Sequence, residues 1–191
     1  MSDPLSRLDA RSLRLNLLVT QSILLLLGFM GTLWQAGWVR TWEYFRLSDG
    51  VAVLAAVGIA IIIALLSIGL EHFLPANWQD DGELSRKMFT GLSVPSTFLL
   101  CLYVGLSEEW LFRGVIQPLL GNGWTSLLFA AIHVRYLRKP ILLGSVFGTS
   151  LLLGWLFQYS QGLTAPIIAH SLLDFFLALY IRRGSQTERS E

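Results

Sequence analysis

Apolar residues along this chain come in long unbroken blocks rather than in alternation with polar ones. Charge-free stretches run from Leu15 to Val39, Gly50 to Leu70, Met88 to Ser107 and Pro140 to Ala169. Wound as helix at ~1.5 Å per residue, each is long enough to cross ~30 Å of hydrocarbon. Lipid offers no partner to backbone N–H and C=O groups, so a crossing segment must be a helix or a strand of a closed barrel. Continuous apolar blocks lack the alternation of barrel strands. The pattern therefore predicts an all-α fold, a polytopic transmembrane helix bundle of about six membrane-spanning helices, near residues 14–36, 51–71, 93–118, 123–138, 141–160 and 163–181.

Polar stretches between the spans read as interfacial segments, Arg40 to Asp49 and Pro75 to Lys87, the latter keeping Asp80, Asp81 and Glu83 in water. Trp34, Trp38, Trp42, Trp78, Trp124 and Trp155 fall near span ends, where indole anchors concentrate. Gly114, Gly121 and Gly123 around Pro118 punctuate the helices, with Gly-Asn-Gly as a tight turn. Gly144, Gly148 and Gly154 predict close packing of the fifth helix. In the six-span arrangement Arg7, Arg11, Arg14, Arg86, Lys87, Arg135, Arg138, Lys139, Arg182, Arg183 and Arg189 share one side, against Arg40 and Arg46 on the other. The positive-inside rule then puts both termini in the cytoplasm.

Of the 191 residues 53% are hydrophobic and 14% charged, too little charge for a water-soluble domain of this size. A net charge of +1 with no basic face speaks against nucleic-acid binding. The single cysteine, Cys101, sits inside an apolar run and reads as a small packing residue. The first apolar run is too long for a cleavable signal and no small-residue cleavage pattern follows, so it is expected to be retained as the first helix.

Against this background the ionisable residues inside spans stand out: Glu108, Glu109, Arg113, His133, His170 and Asp174. A charge at membrane depth costs at least ~2.5 kcal/mol, so each should be paired or functional. All six fall in the last four helices, which locates a site there. Glu109 and Arg113, four apart with the acid first, form a structural ion pair. Glu108 is rotated ~100° from Glu109 and can face an internal cavity as a general base. His170 and Asp174 are four apart and share a face. His133 lies one turn after Phe129. His72, at a span end without convergent partners, is given no catalytic role.

The run from Glu108 and Glu109 to Arg113 resembles an EExxxR signature, Phe129 to His133 an FxxxH signature, and His170 to Asp174 a third that is usually HxxxN. These are the motifs of the CAAX protease and bacteriocin-processing family (CPBP, or Abi), which includes the type II CAAX endopeptidases. The resemblance covers about residues 93–183. It implies a protease core there, preceded by a two-helix membrane region at 1–92 and followed by a polar tail at 184–191.

The resemblance further implies an intramembrane endopeptidase acting on a membrane-associated or prenylated protein or peptide. Glu108 and His133 would activate water, and His170 with residue 174 would stabilise the oxyanion. The family's older description as metalloproteases suggests zinc on Glu108, His133 and His170. The favoured reading has no metal or other cofactor, since neither histidine lies at the HExxH spacing. Asp174 departs from the usual asparagine, because an ionised carboxylate cannot donate to an oxyanion. It is expected instead to accept a hydrogen bond from His170, or to donate when protonated.

Two other classes compete: a catalytically silent scaffold binding membrane partners, whose motif residues should have been lost, and a small transporter or proton relay. The expected partners are the lipid bilayer and a protein or peptide substrate. Compact length and the lack of a transit-type segment suggest a prokaryotic plasma membrane.

Overall fold

The computed structural model describes residues 9–47, 49–73, 82–137 and 139–187. Among the described residues there are helices and no strands. Trp78, Asp80 and Asp81 lie outside them, as do Arg7, Arg138 and Arg189, and of His72, Glu83 and Arg135 the backbone alone is described.

Helix α1, Ala10–Glu43, begins where Asp9 accepts a hydrogen bond from the Ser12 amide at 3.1 Å. It breaks at Gly37 (φ 75°, ψ 174°), a left-handed position that favours glycine. Helix α2, Gly50–Phe73, is capped by Asp49, whose carboxylate accepts from the Ala52 amide at 2.7 Å. The short α3, Gly82–Phe89, replaces part of the loop expected between Pro75 and Lys87. Helix α4, Val94–Glu109, starts from a Ser93 cap with proline in its first turn, where a missing N–H costs nothing.

From Trp110 to Ile116 the chain widens into a π-helical segment before continuing as α5, Gln117–Ile132. A break at Gly121 (φ 76°, ψ 168°) divides this long run into two legs. The second leg folds back on the first, bringing the Phe129 ring to 4.8 Å from that of Phe112, so Gly-Asn-Gly makes the tight turn that the sequence predicts. The expected span 123–138 is also corrected: its helix stops at Ile132, and a short 3-10 turn, Val134–Tyr136, follows. Helix α6, Pro140–Ser160, ends on left-handed Gln161, and α7, Thr164–Thr187, runs into the expected polar tail.

Five stretches are long and apolar enough to cross a membrane, because the folded run Val94–Ile132 counts as one. Cross-helix hydrogen bonds give the directions of the helices. At one end Arg14 donates to the carbonyls of Met88 (2.8 Å) and Thr90, and Arg182 donates to Thr97 Oγ1 (2.9 Å). At the other end the Leu163 amide donates to Tyr44 O (2.7 Å) and Thr164 to Arg46 O (2.8 Å). The start of α1 and the end of α7 thus share one end of the bundle.

Large apolar residues cover the outside, while polar residues share the inside with apolar ones. Leu54 is 73% exposed and Leu15 60%, while Glu109 and Arg113 are fully buried. Lipid is as apolar as leucine, so helices associate here through close packing. Ala52, Ala56, Ala60 and Ala64 form a buried stripe on α2 against Ala165, Ala169 and Leu173 of α7. Gly28 and Gly31 of α1 meet Trp110 and Val115 of the π segment, and Gly105 of α4 meets Ser171 of α7. Of the three glycines expected to pack on α6, Gly154 does so, against Asn122 and Gln117. Gly144 and Gly148 face open space.

Candidate active site

The end of α4 and the π segment carry the first acidic motif into the bundle interior. Glu109 is held from two sides: Arg113 Nε donates to its Oε2 at 2.9 Å, and His170 Nδ1 to its Oε1 at 2.8 Å. The guanidinium is anchored further by Gln117 Oε1 at 3.3 Å and Ser150 Oγ at 2.8 Å. Gln117 in turn donates to Gly154 O at 2.9 Å. A charge removed from water needs partners, and this network gives each of the three guanidinium nitrogens one, across the π segment, α5, α6 and α7. The widened turn at Trp110–Ile116 falls within it, as such segments do at functional sites.

Phe129 is the apolar hub of the same region. Its ring meets Phe112 edge-on at 4.8 Å, lies 5.8 Å beneath the Arg113 guanidinium, and sits 4.9 Å from the His133 ring and 6.2 Å from that of His170. Its carbonyl accepts from His133 Nδ1 at 2.7 Å. A carbonyl can only accept, so Nδ1 carries the proton and Nε2 is the basic nitrogen of the neutral ring. The same logic applies to His170, whose Nδ1 proton is committed to Glu109. Its Nε2 lies 3.9 Å from Glu108 Oε2 and 3.6 Å from Asp174 Oδ2.

Glu108, His133, His170 and Asp174 all line one cavity of about 510 Å³, walled largely by apolar side chains such as Leu100, Val104, Leu173 and Leu177. Glu108 faces this cavity as expected, yet it is not without a partner. Gln21 Nε2 of α1 donates to its Oε1 at 2.8 Å. The expectation that Asp174 accepts a hydrogen bond from His170 is corrected, because Glu109 takes that bond and Asp174 stands at ion-pair range from the other nitrogen. Among the described residues no group of three or more His, Cys, Asp or Glu side chains is arranged to hold a metal ion.

Residue-by-residue reading missed Gln21, Ser107, Gln117 and Ser150 because it tracked ionisable groups alone. An uncharged Gln21 inside a charge-free run was the available signal. Cys101 is free and buried, as read from the sequence.

The fold and the site together define a polytopic helical membrane protein whose polar chemistry is gathered around one interior cavity. Residues 90–176, which hold all three motifs, match the family described as type II CAAX prenyl endopeptidase Rce1-like. The uncharacterized protein YpbD of Bacillus subtilis (strain 168) is 38% identical over 144 residues, 75% of each chain. The chain belongs to this Rce1-like family of membrane-embedded CAAX-type endopeptidases. No solved structure matches it.

Proposed function

We propose that this chain is a glutamate-type intramembrane endopeptidase that cleaves a membrane-associated or prenylated protein or peptide. The observation that carries the reading is the convergence of Glu108, His133, His170 and Asp174 on one largely apolar cavity. In this mechanism Glu108, assisted by His133 on the same cavity, takes a proton from a water. The hydroxide attacks the scissile carbonyl carbon, and the electron pair of the C=O bond moves to its oxygen. His170, doubly protonated with its Nδ1–H donating to Glu109, stabilises that oxyanion from Nε2–H. Collapse of the tetrahedral intermediate breaks the C–N bond, and the proton held by Glu108 passes to the leaving nitrogen. Glu109 and Arg113 hold the His170 ring in place.

The reading takes the metal-free route, because neither histidine lies at the HExxH spacing of a zinc peptidase. The surplus of Lys and Arg at one end supports an orientation with both termini in the cytoplasm. The test is cleavage of a farnesylated CAAX reporter peptide by purified protein in lipid vesicles. Glu108→Gln and His133→Ala should each abolish turnover with helicity unchanged, and exhaustive chelation should leave wild-type activity intact. Activity within a few-fold of wild type in either variant, or one zinc per active chain lost together with turnover, would overturn the reading.

A further inference from the structure

Gln21 lies outside the family-matched segment, in the middle of a lipid-crossing helix, and is 4% exposed. Burying a primary amide at that depth is costly unless both its ends are met. Both are. Ser107 Oγ lies in short hydrogen-bond contact with Gln21 Oε1, and Nε2 donates to Glu108 Oε1 at 2.8 Å. The two contacts fix which way the amide points. Turned over, it would bring its oxygen against a carboxylate oxygen, two acceptors facing each other. A second cross-helix bond, Ser22 to the Tyr103 hydroxyl at 2.7 Å, ties α1 to α4 one turn away.

The consequence lies in what is left of Glu108. Its Oε1 is tied to α1, while Oε2 is the oxygen turned toward His170 Nε2. We propose that Gln21 is a positioning residue for the reaction: it clamps one oxygen of Glu108 so that the other is presented to the cavity, and α1 thereby completes the active site. This rests on the reading of Glu108 as the base. Gln21 itself acts through Glu108.

Two readouts test it on the full chain in lipid vesicles. The first is infrared difference spectroscopy, in which the carboxylate band of Glu108 is the one lost in Glu108→Gln. That band should be displaced in Gln21→Leu and unmoved in Ser22→Ala, which breaks the neighbouring helix contact without touching Glu108. An unmoved band in Gln21→Leu overturns the proposal. The second is turnover of the farnesylated reporter: Gln21→Leu should lower kcat about 10- to 100-fold with KM held within about twofold, the result of removing one hydrogen bond to a charged group. A rise in KM alone, or an equal loss in Ser22→Ala, points to helix packing and overturns it.

Should Gln21→Leu fail to fold, Ser107→Ala frees the amide to rotate. It should displace the same band by a smaller amount, and an unmoved band is again the refuting result. If Glu108→Gln keeps its activity while Gln21→Leu moves the band, the base assignment fails and the clamp stands as structure alone.

Discussion

Replacing Arg113 by methionine would remove a permanent cation from a buried network and leave most of the volume filled. Glu109, also fully buried, would keep His170 Nδ1 as its single partner. Two neutral groups would lose the guanidinium as well, Gln117 Oε1 and Ser150 Oγ. These are the smaller losses. Gln117 retains its bond to Gly154 O at 2.9 Å, and a serine hydroxyl in a helix can turn to a carbonyl one turn back. The stranded carboxylate decides the magnitude, and breaking a buried ion pair from one side costs about 3–5 kcal/mol.

The assay is reversible unfolding in mixed micelles, followed by tryptophan fluorescence. The double variant Arg113→Met with Glu109→Leu should recover part of the loss, since a pair replaced by apolar groups is often near neutral. A single-variant loss below about 1 kcal/mol, or a double variant equal to the sum of the singles, would refute the claim that this pair is the keystone of the site.

At Gly154 an added Cβ would lie closer to Asn122 and Gln117 than real Cβ atoms come, so Gly154→Val should destabilise by about 1–3 kcal/mol in the same assay. Gly148→Ala, with nothing within 4 Å, should stay within about 0.5 kcal/mol of wild type. At the membrane edge, the Ser12 hydrogen bonds hold the Asp9 carboxyl below its ordinary value. A lowered folded-state value means the cap contributes at neutral pH and is lost as the pH falls through the carboxylate range. Amide exchange over residues 10–13 should therefore quicken in acid, and Asp9→Ala should be fast at every pH. An exchange rate indifferent to both changes would dismiss the cap.

The helical class was legible because lipid leaves a chain few options, and four apolar runs without charge could be little else. The breaks at Gly37 and Gly121 fall where the expected spans end, since glycine alone takes that backbone without strain. The length of the leg after Gly121 was less legible. The expected span runs on to residue 138 through His-Val-Arg-Tyr-Leu-Arg, but the helix stops at Ile132, where the Phe129 carbonyl is taken by His133 Nδ1 and the backbone turns away.

The Glu109–Arg113 pair could be read from spacing within one helix, where four residues make a turn. Gln21 meeting Glu108, 87 positions away, could not, because no periodicity records which helix lies beside which. The alanine stripe on α2 was present in the sequence as a repeat every four residues. It went unread because alanine is apolar wherever it stands.

Asp174 tests how far the roles at this site depend on charge. The Nδ1 proton of His170 is committed to Glu109, so the ring can donate to an oxyanion from Nε2 only in its doubly protonated form. Asp174 Oδ2, 3.6 Å from that nitrogen, supplies a counter-charge to that form. In Asp174→Asn the counter-charge goes, yet an amide N–H arrives that can itself donate to the oxyanion, as a carboxylate cannot. Each effect is on the order of one charge-assisted hydrogen bond, about 1.5–3 kcal/mol, and they act in opposite directions. Asp174→Asn should therefore keep its kcat within about tenfold of wild type, since tenfold is about 1.4 kcal/mol. Asp174→Ala, with neither charge nor donor, should fall further, and His170→Ala should lose most activity. A folded but inactive Asp174→Asn, measured on the farnesylated reporter, would show that the carboxylate itself takes part in the chemistry and that His170 is not the principal oxyanion donor.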